Sequence, residues 1–260
     1  MFIQGADFSQ YQGKPDWNKV KLSGIEWVAL RAAFGLQKDT EIDRNLGESR
    51  NKHLPALVYS WILPGDDVDR TADFVCNIVK DWELRAPAID YENSQRGIVS
   101  HAMLMKYAYA LRERTQKRVA IYTNIGAFGN DPDPRWAQDF DLWDADWGYD
   151  ANNPNDIAQP RLPKPWTTWK FWQYWITPYG TVYGSEKPRL GLDWFNGTRE
   201  DLHAYFAPRF SDIAGHWAEK DILSAASMGI VKGNTDGTFR PDNPATRAEV
   251  VAMIMRALRS

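Results

Sequence analysis

The stretch Ala86-Pro87-Ala88-Ile89-Asp90-Tyr91-Glu92 follows a run of charged residues, ends in alternating apolar and acidic side chains, and is closed by Asn93-Ser94. As a strand it places Asp90 and Glu92 on one face, about 7 Å apart along the backbone. Two carboxylates projecting together from a strand end resist joint ionisation in a partly dry site. The alternative is a strand end carrying two solvated acids. What separates the two readings is the pattern on either side.

Upstream, strands are predicted over residues 3–8, 25–31 and 56–61. Helices are predicted over 16–21, with Asp16 as cap and Gly24 as stop, over 39–53, and over 67–84, whose apolar stripe runs through Val68, Ala72, Val75, Cys76 and Val79. Downstream come a helix over 102–114 and a strand over 118–123. Strand-helix alternation over five units calls for a parallel sheet with helices outside, either a barrel or a doubly wound sheet. No Gly-x-Gly-x-x-Gly opens any helix, so a dinucleotide fold lacks its fingerprint. Beyond residue 124 three more strands are predicted, over 140–145, 170–175 and 190–194. The segments between them are rich in Pro, Asn and Gly and too weakly periodic for full crossover helices. Eight strands with short or absent late helices give an α/β fold, an irregular (β/α) TIM-like barrel. Function in barrels sits at the carboxyl ends of strands. Asp7, Tyr59, Asp90, Glu92, Asn124, Gln173 and Asp193 are all expected there, so acids distant in sequence are expected to meet.

Composition narrows the chemistry. The 260 residues are 43% hydrophobic and 25% charged with a net charge of −3, which offers no basic field for nucleic acid or an anionic membrane. No apolar run approaches the ~18 residues of a membrane-spanning helix. Met1-Phe2-Ile3-Gln4-Gly5 has no basic segment followed by an apolar core, so no signal peptide is expected. Cys76 is the single cysteine, which excludes an internal disulfide. His53, His101, His203 and His216 have no ligand-like spacing, and neither a metal nor a cofactor is expected. No Gly-x-Ser-x-Gly marks a serine nucleophile. Eight of the thirteen tryptophans (Trp136, Trp143, Trp147, Trp166, Trp169, Trp172, Trp175 and Trp194) crowd between residues 136 and 194, where they favour a ligand groove although any single one suits a core.

A boundary is expected near Ala207-Pro208-Arg209, giving domains over 1–206 and 210–260. Residues 210–260 hold six basic and six acidic side chains, which leaves the whole net charge on the barrel. Helices are predicted over 217–228 and 246–258. The intervening Asn234-Thr235-Asp236-Gly237 hints at a calcium loop, but aligning Gly237 with the sixth loop position puts Lys232 first and Asn243 twelfth, where acids are needed. A tight turn is the better reading. About 50 residues make a marginal independent core, so the tail is expected to pack against something.

The acid pair suits glycoside hydrolysis, which needs one protonated and one ionised carboxyl beside the same bond. Glu92 is the candidate general acid and Asp90 its ionised neighbour, with Asp7 and Asp193 completing an acidic pocket in which crowding raises each group's pKa.

A longer set of motifs carries a resemblance. It comprises Gly5 through Gly13, Asp16-Trp17, Leu30-Arg31-Ala32, Asp39 with Asn45, Val58-Tyr59, Ile89 through Glu92, Ile121-Tyr122-Thr123-Asn124, Leu142-Trp143-Asp144-Ala145, Trp172-Gln173-Tyr174 and Asp193-Trp194-Phe195-Asn196. In order and spacing these resemble glycoside hydrolase family 25, the Chalaropsis-type lysozymes. The resemblance implies a modified barrel that cleaves the β-1,4 bond between N-acetylmuramic acid and N-acetylglucosamine in peptidoglycan, with net retention. It makes Glu92 the acid/base, Asp90 the nucleophile or the group that orients a substrate N-acetyl, and Asp7 and Asp193 their supports. Tyr59, Arg31, Tyr122, Asn124, Trp143, Trp147 and Gln173 become substrate-binding residues. Ser60 stands where the family usually has a histidine, and Trp147 where a tyrosine is common; both departures are expected to alter preference without abolishing cleavage. A chitinase-like reading fails because Arg85 and Ala88 occupy two required acidic positions. A non-catalytic wall-binding protein is the rival from another class.

The tail resembles one S-layer homology repeat, through Phe210-Ser211-Asp212, His216-Trp217-Ala218, Gly229-Ile230, Gly233, Asp236-Gly237-Thr238-Phe239, Pro241 and Thr246-Arg247-Ala248-Glu249. The resemblance implies binding to a secondary cell-wall polymer, with Asp212, Trp217, Gly233, Arg247 and Glu249 as its residues and Arg247 suited to an anion. Such repeats usually come in threes; a lone one implies support from the barrel or association of several chains. The bare start methionine resembles phage endolysins, which implies residence in a host cytoplasm until release; secretion is the alternative.

Overall fold

The computed structural model describes residues 2–79, 85–115, 117–129, 134–147, 159–207, 210–213, 215–227, 230–234 and 237–258. Expectations that reach residue 84, Pro208, Arg209, Met228, Gly229, Thr235 or Asp236 lie outside the described residues.

Eight strands close into a barrel: β1 (Phe2–Phe8), β2 (Trp27–Phe34), β4 (Ala56–Trp61), β5 (Arg85–Asp90), β6 (Ala120–Thr123), β7 (Asp141–Ala145), β8 (Phe171–Thr177) and β9 (Leu190–Asn196). A two-residue strand, β3 (Gln37–Lys38), hangs from β2 as a hairpin. β1 pairs in parallel with β2, and parallel pairing continues through β4, β5, β6 and β7 to β8. β9 then runs antiparallel between β8 and β1 and seals the ring. A parallel return needs a long crossover, usually a helix. The connection 178–189 holds a single 3-10 turn, Gly180–Tyr183, so the chain turns back beside β8 instead.

Period-2 alternation sorts the strand side chains into two layers. Inward go Trp27 and Ala29, Leu57 and Tyr59, Ala86 and Ala88, Ala120 and Tyr122, Trp143 and Ala145, with Phe171 and Phe195. Outward go Val28 and Leu30, Val58, Ile89, Ile121, Leu142 and Trp172, which meet the surrounding helices. Those helices are α1 (Trp17–Leu22), α2 (Ile42–Asn51), α3 (Val68–Ile78), α4 (His101–Thr115) and the single turn α5 (Ile125–Phe128). Side chains of Asp16, Asp67 and Asn124 cap α1, α3 and α5 by accepting from first-turn amides that have no partner inside the helix. α6 (Arg199–Phe206) stoppers the lower end, where Leu202, Tyr205 and Phe206 join the interior cluster.

The tryptophan crowd is mostly core, which corrects the groove expected of it. Trp143, Trp166, Trp169 and Trp172 are buried, and Trp136, Trp175 and Trp194 are half-buried against the outer layer. Phe2, Trp169, Trp172, Tyr174 and Trp194 stack around the outside of β8, β9 and β1, with Tyr174 and Trp194 centroids 4.0 Å apart. Where late crossover helices are missing, large rings cover the sheet in their place. Among the eight, Trp147 alone is more than half exposed, at 52%.

In the tail, α7 (Glu219–Ser227) and α8 (Arg247–Ala257) accompany a small core of Phe210, Ile213, Ile222 and Ala226. α7 packs against α6, which is the support expected for so small a core. α8 buries no residue and leaves Val250, Val251 and Ile254 open. The Gly237 amide donates to the Asn234 carbonyl.

Candidate active site

The upper ends of the parallel strands, together with β9 entering from above, bring Asp7, Asp90, Glu92 and Asp193 to one mouth. Glu92 lies just past β5, but the alternation continues: the Tyr91 amide donates to the Tyr122 carbonyl, and the Tyr91 ring packs outward with its hydroxyl donating to the Val99 carbonyl. Asp90 and Glu92 therefore share the inner side, as expected. Asp193 corrects the expectation of a carboxyl-terminal strand end. It sits in mid-strand on antiparallel β9, opposite Gly5 of β1 and Gln173 of β8. Gln173 is likewise the third residue of β8, ahead of a register shift that re-aims the strand.

Gln173 ties the mouth together. Its Oε1 accepts from the Tyr122 hydroxyl at 2.9 Å and from the Trp147 indole at 2.8 Å, and its Nε2 donates to Asp7 Oδ2 at 2.7 Å. An indole N–H can only donate, so the amide orientation is fixed and Asp7 must be the acceptor. The Trp143 indole donates to Asp193 Oδ1 at 2.8 Å. Trp143 is thus a buried support for Asp193 rather than an open sugar platform. Arg31 donates through Nε to Asp39 Oδ2 at 2.8 Å and lies over the exposed Tyr11 ring, bordering the mouth. Tyr59 is buried and senses Asp7 and Asp90. Asn124 spends its Oδ1 on the α5 cap while lining a side cleft with Trp147.

The electrostatics mirror this convergence. Burial, then its own neighbours' opposition, sets Asp7: desolvation raises it to about 6, with the Gln173 hydrogen bond pulling the other way. Burial pushes Asp90 well above the carboxylate range, reinforced by Glu92 and Asp7 and opposed by Arg31 and a Trp61 hydrogen bond. Glu92 is raised by burial and by Asp7. Asp193 is raised by burial and Asp7, against the Trp143 bond. Asp7 appears in the surroundings of all three other acids, and Tyr122 is influenced by all four. Such a cluster holds protons toward neutrality while retaining some ionised carboxylate, the division of labour that acid/base chemistry on one bond requires.

Three clefts open around the mouth. One of about 730 Å³ runs past Arg31, Lys38 and Trp61. A second, about 450 Å³, reaches Asp7 and Gln173 past Lys187, Arg189 and Gly191. A third, about 420 Å³, lies between Asn124, Trp147 and Arg161. A larger cleft of about 840 Å³ lies between α6 and the tail; of the four clefts, the second alone is lined by one of the four acids, Asp7. Among the described residues no group of acids, histidines and cysteine could hold a metal ion.

Ser60 does not face the mouth. It is fully buried on the outer side of β4 and shares a 2.8 Å hydrogen bond with the Tyr107 hydroxyl of α4, so its effect is on packing rather than on substrate fit. Reading the chain missed Trp61, although strand alternation puts it on the same face as Tyr59. It also missed Gly191, whose only signal was a glycine inside a strand. A Cβ there would lie 1.7 Å from Asp7 Oδ2. A fifth acid, Asp144, sits behind the wall on β7; both of its oxygens are buried without a hydrogen-bond partner, and burial followed by Asp146 raises it to about 8 against the pull of Arg161.

The residues expected to bind a wall polymer divide. Asp212 accepts from the Phe239 and Arg240 amides, and Glu249 forms a capping box with Thr246 on α8. A Cβ on Gly233 would meet the Phe210 ring at 2.1 Å, so a close approach requires glycine there. These three hold the tail's own fold. Trp217, 87% exposed, and the exposed Arg247 remain open to a ligand.

The model of the glycosyl hydrolases family 25 matches residues 6–180, and that of the S-layer homology domain matches residues 209–251. Lysozyme M1 of Streptomyces globisporus is 25% identical over 219 residues, which cover 78% of this chain and 70% of that protein. Cell surface glycoprotein 1 of Acetivibrio thermocellus is 49% identical over 51 residues at the tail, 20% of this chain and 2% of that protein. The chain thus spans a small fraction of that relative's length. A bacterial lysozyme from Streptomyces coelicolor shares the fold with a TM-score of 0.67 at 23% identity, over 78% of this chain and 95% of that one.

Proposed function

The chain belongs to glycosyl hydrolases family 25, and from that premise we propose that it is a muramidase, a peptidoglycan hydrolase that cuts the β-1,4 bond on the reducing side of N-acetylmuramic acid. The convergence of four acids on a single Gln173-bound mouth, with Asp7 acting on each of the others, carries this reading. Glu92 gives its proton to the leaving oxygen and later takes one from water. Asp90, beneath it, either attacks the anomeric carbon or orients the substrate's acetamido group to do so; in both cases negative charge faces the developing oxocarbenium ion. Asp7 keeps the local proton affinity high, Asp193 completes the acidic wall, Gln173 and Trp143 hold those two carboxyls in place, and Tyr59, Tyr122 and Arg31 shape the sugar site.

Residues 1–206 form the catalytic unit in this proposal and 210–260 a wall-targeting module, with Trp217 and Arg247 as its ligand contacts. Among the described residues no helix is long and apolar enough to cross a membrane.

Glu92→Gln tests the reading. It should abolish release of muropeptides ending in reducing N-acetylmuramic acid, by mass spectrometry of digested walls, while circular dichroism stays unchanged. Undiminished release by the variant sinks the assignment. Reducing N-acetylglucosamine ends, or binding without any new reducing ends, sink it for the parent enzyme.

A further inference from the structure

A peptidoglycan strand is branched, so an enzyme that grips it near the cut must accommodate the glycan running in two directions and a peptide arm leaving from the muramic acid. Of the three clefts around the mouth, the one between β8 and β9 is lined by an acid of the cluster, Asp7, and the three differ in charge. In the cleft past Arg31 both cations are neutralised, Arg31 by Asp39 at 2.8 Å and Lys38 by Asp43 at 2.6 Å. In the cleft beside Trp147, Arg161 is held by both oxygens of Asp146. The cleft between β8 and β9 is the exception. Among the described residues Arg189 has no ion-pair partner, and Lys187 has only a 3.5 Å contact with Glu186. That carboxylate already accepts the Lys14 amide at 2.7 Å.

The loop carrying these cations is fixed in place. The Glu186 amide donates to the Gln12 carbonyl, and the Gln12 side chain donates back to the Arg189 carbonyl. Two basic side chains are therefore presented on a braced loop that lines the same cleft as Asp7 and Gln173. Gly191 lines that cleft against Asp7 and Gln173, and its missing side chain leaves their polar atoms uncovered on that side.

We propose that this cleft receives the carboxylate-bearing peptide arm of the muramic acid, with Lys187 and Arg189 reading its negative charge. The inference rests on the muramidase reading above. A guanidinium free of internal partners can offer paired donors to a carboxylate without first breaking a bond of its own.

The test compares native wall strands with strands whose peptide carboxyls have been converted to amides, which keeps size and removes charge. The parent enzyme should cut native strands with a kcat/KM about tenfold higher. In the double variant Lys187→Gln, Arg189→Gln that preference should vanish, and its cleavage of amidated strands reports that it is folded. The proposal is overturned if the parent shows no preference, if the preference survives in the variant, or if both strands lose cleavage together. If the parent cuts neither strand, the muramidase reading falls first and takes the proposal with it.

Discussion

Replacing Asp144 by Asn should stabilise the protein, and by an amount that depends on pH. Asp144 is fully buried behind β7 with both oxygens unpartnered, and its carboxyl is raised from the ordinary 3.8 to about 8. Between those two values the folded state holds a proton that the unfolded chain has released. Folding therefore takes up a proton, and stability falls as pH climbs from about 4 to about 8. Each pH unit costs about 1.4 kcal/mol, so roughly three units separating 3.8 from neutrality amount to about 4 kcal/mol at pH 7. Asparagine has nearly the same shape and an equally unpartnered polar head but cannot ionise, so this pH-linked loss disappears while the remaining burial cost stays. The other raised acids slope the curve in the same direction in both proteins, and the difference between them isolates Asp144. Urea midpoints at pH 5, 6, 7 and 8 should diverge progressively, with the variant ahead by on the order of 1 M at neutral pH. Near pH 4 the two should coincide. Parallel curves for parent and variant across this range refute the reasoning, because they mean that Asp144 titrates alike in both states.

Two further outcomes concern the mouth. Gly191→Ala places a methyl 1.7 Å from Asp7 Oδ2 and 2.7 Å from Gln173 Nε2, so the pair must shift; kcat should fall about a hundredfold while stability drops by only ~1–3 kcal/mol, read by initial rates and thermal melts. Asp7→Asn removes a charge that raises Glu92, so the Glu92 carboxyl should ionise earlier and the alkaline limb of the kcat/KM profile should move to lower pH; an unmoved limb contradicts the assigned coupling.

What the chain disclosed in advance follows from where each signal is local. Strand boundaries at 56–61, the helix cap at Asp16, and the shared face of Asp90 and Glu92 depend on period and capping chemistry within a few residues, and all are present in the fold. The direction of β9 depends on what a loop lacks, and the absence of a crossover in 178–189 can be read only once β8 and β1 are known to be neighbours. The tryptophans misled for a related reason. An indole that covers a bare sheet and one that stacks on a sugar have the same composition, and they differ only in which side of the strand solvent occupies. Asp144 stood inside a family motif, and only the alternation of β7 between Trp143 and Ala145 signalled that it faced away from the four acids of the mouth.

The antiparallel closing strand also gives the enzyme an order of assembly. Asp7 belongs to the first strand and is held from one side by β2, whereas Asp193 belongs to the last strand and takes its place only when β9 slots between β8 and β1. A growing chain that has not yet delivered residue 196 from the ribosome has Asp90 and Glu92 on a finished strand but neither Asp193 nor a sealed ring around them. Truncated products ending before β9 therefore lack both Asp193 and the closed ring, and the four-acid mouth is completed in one step, late in synthesis.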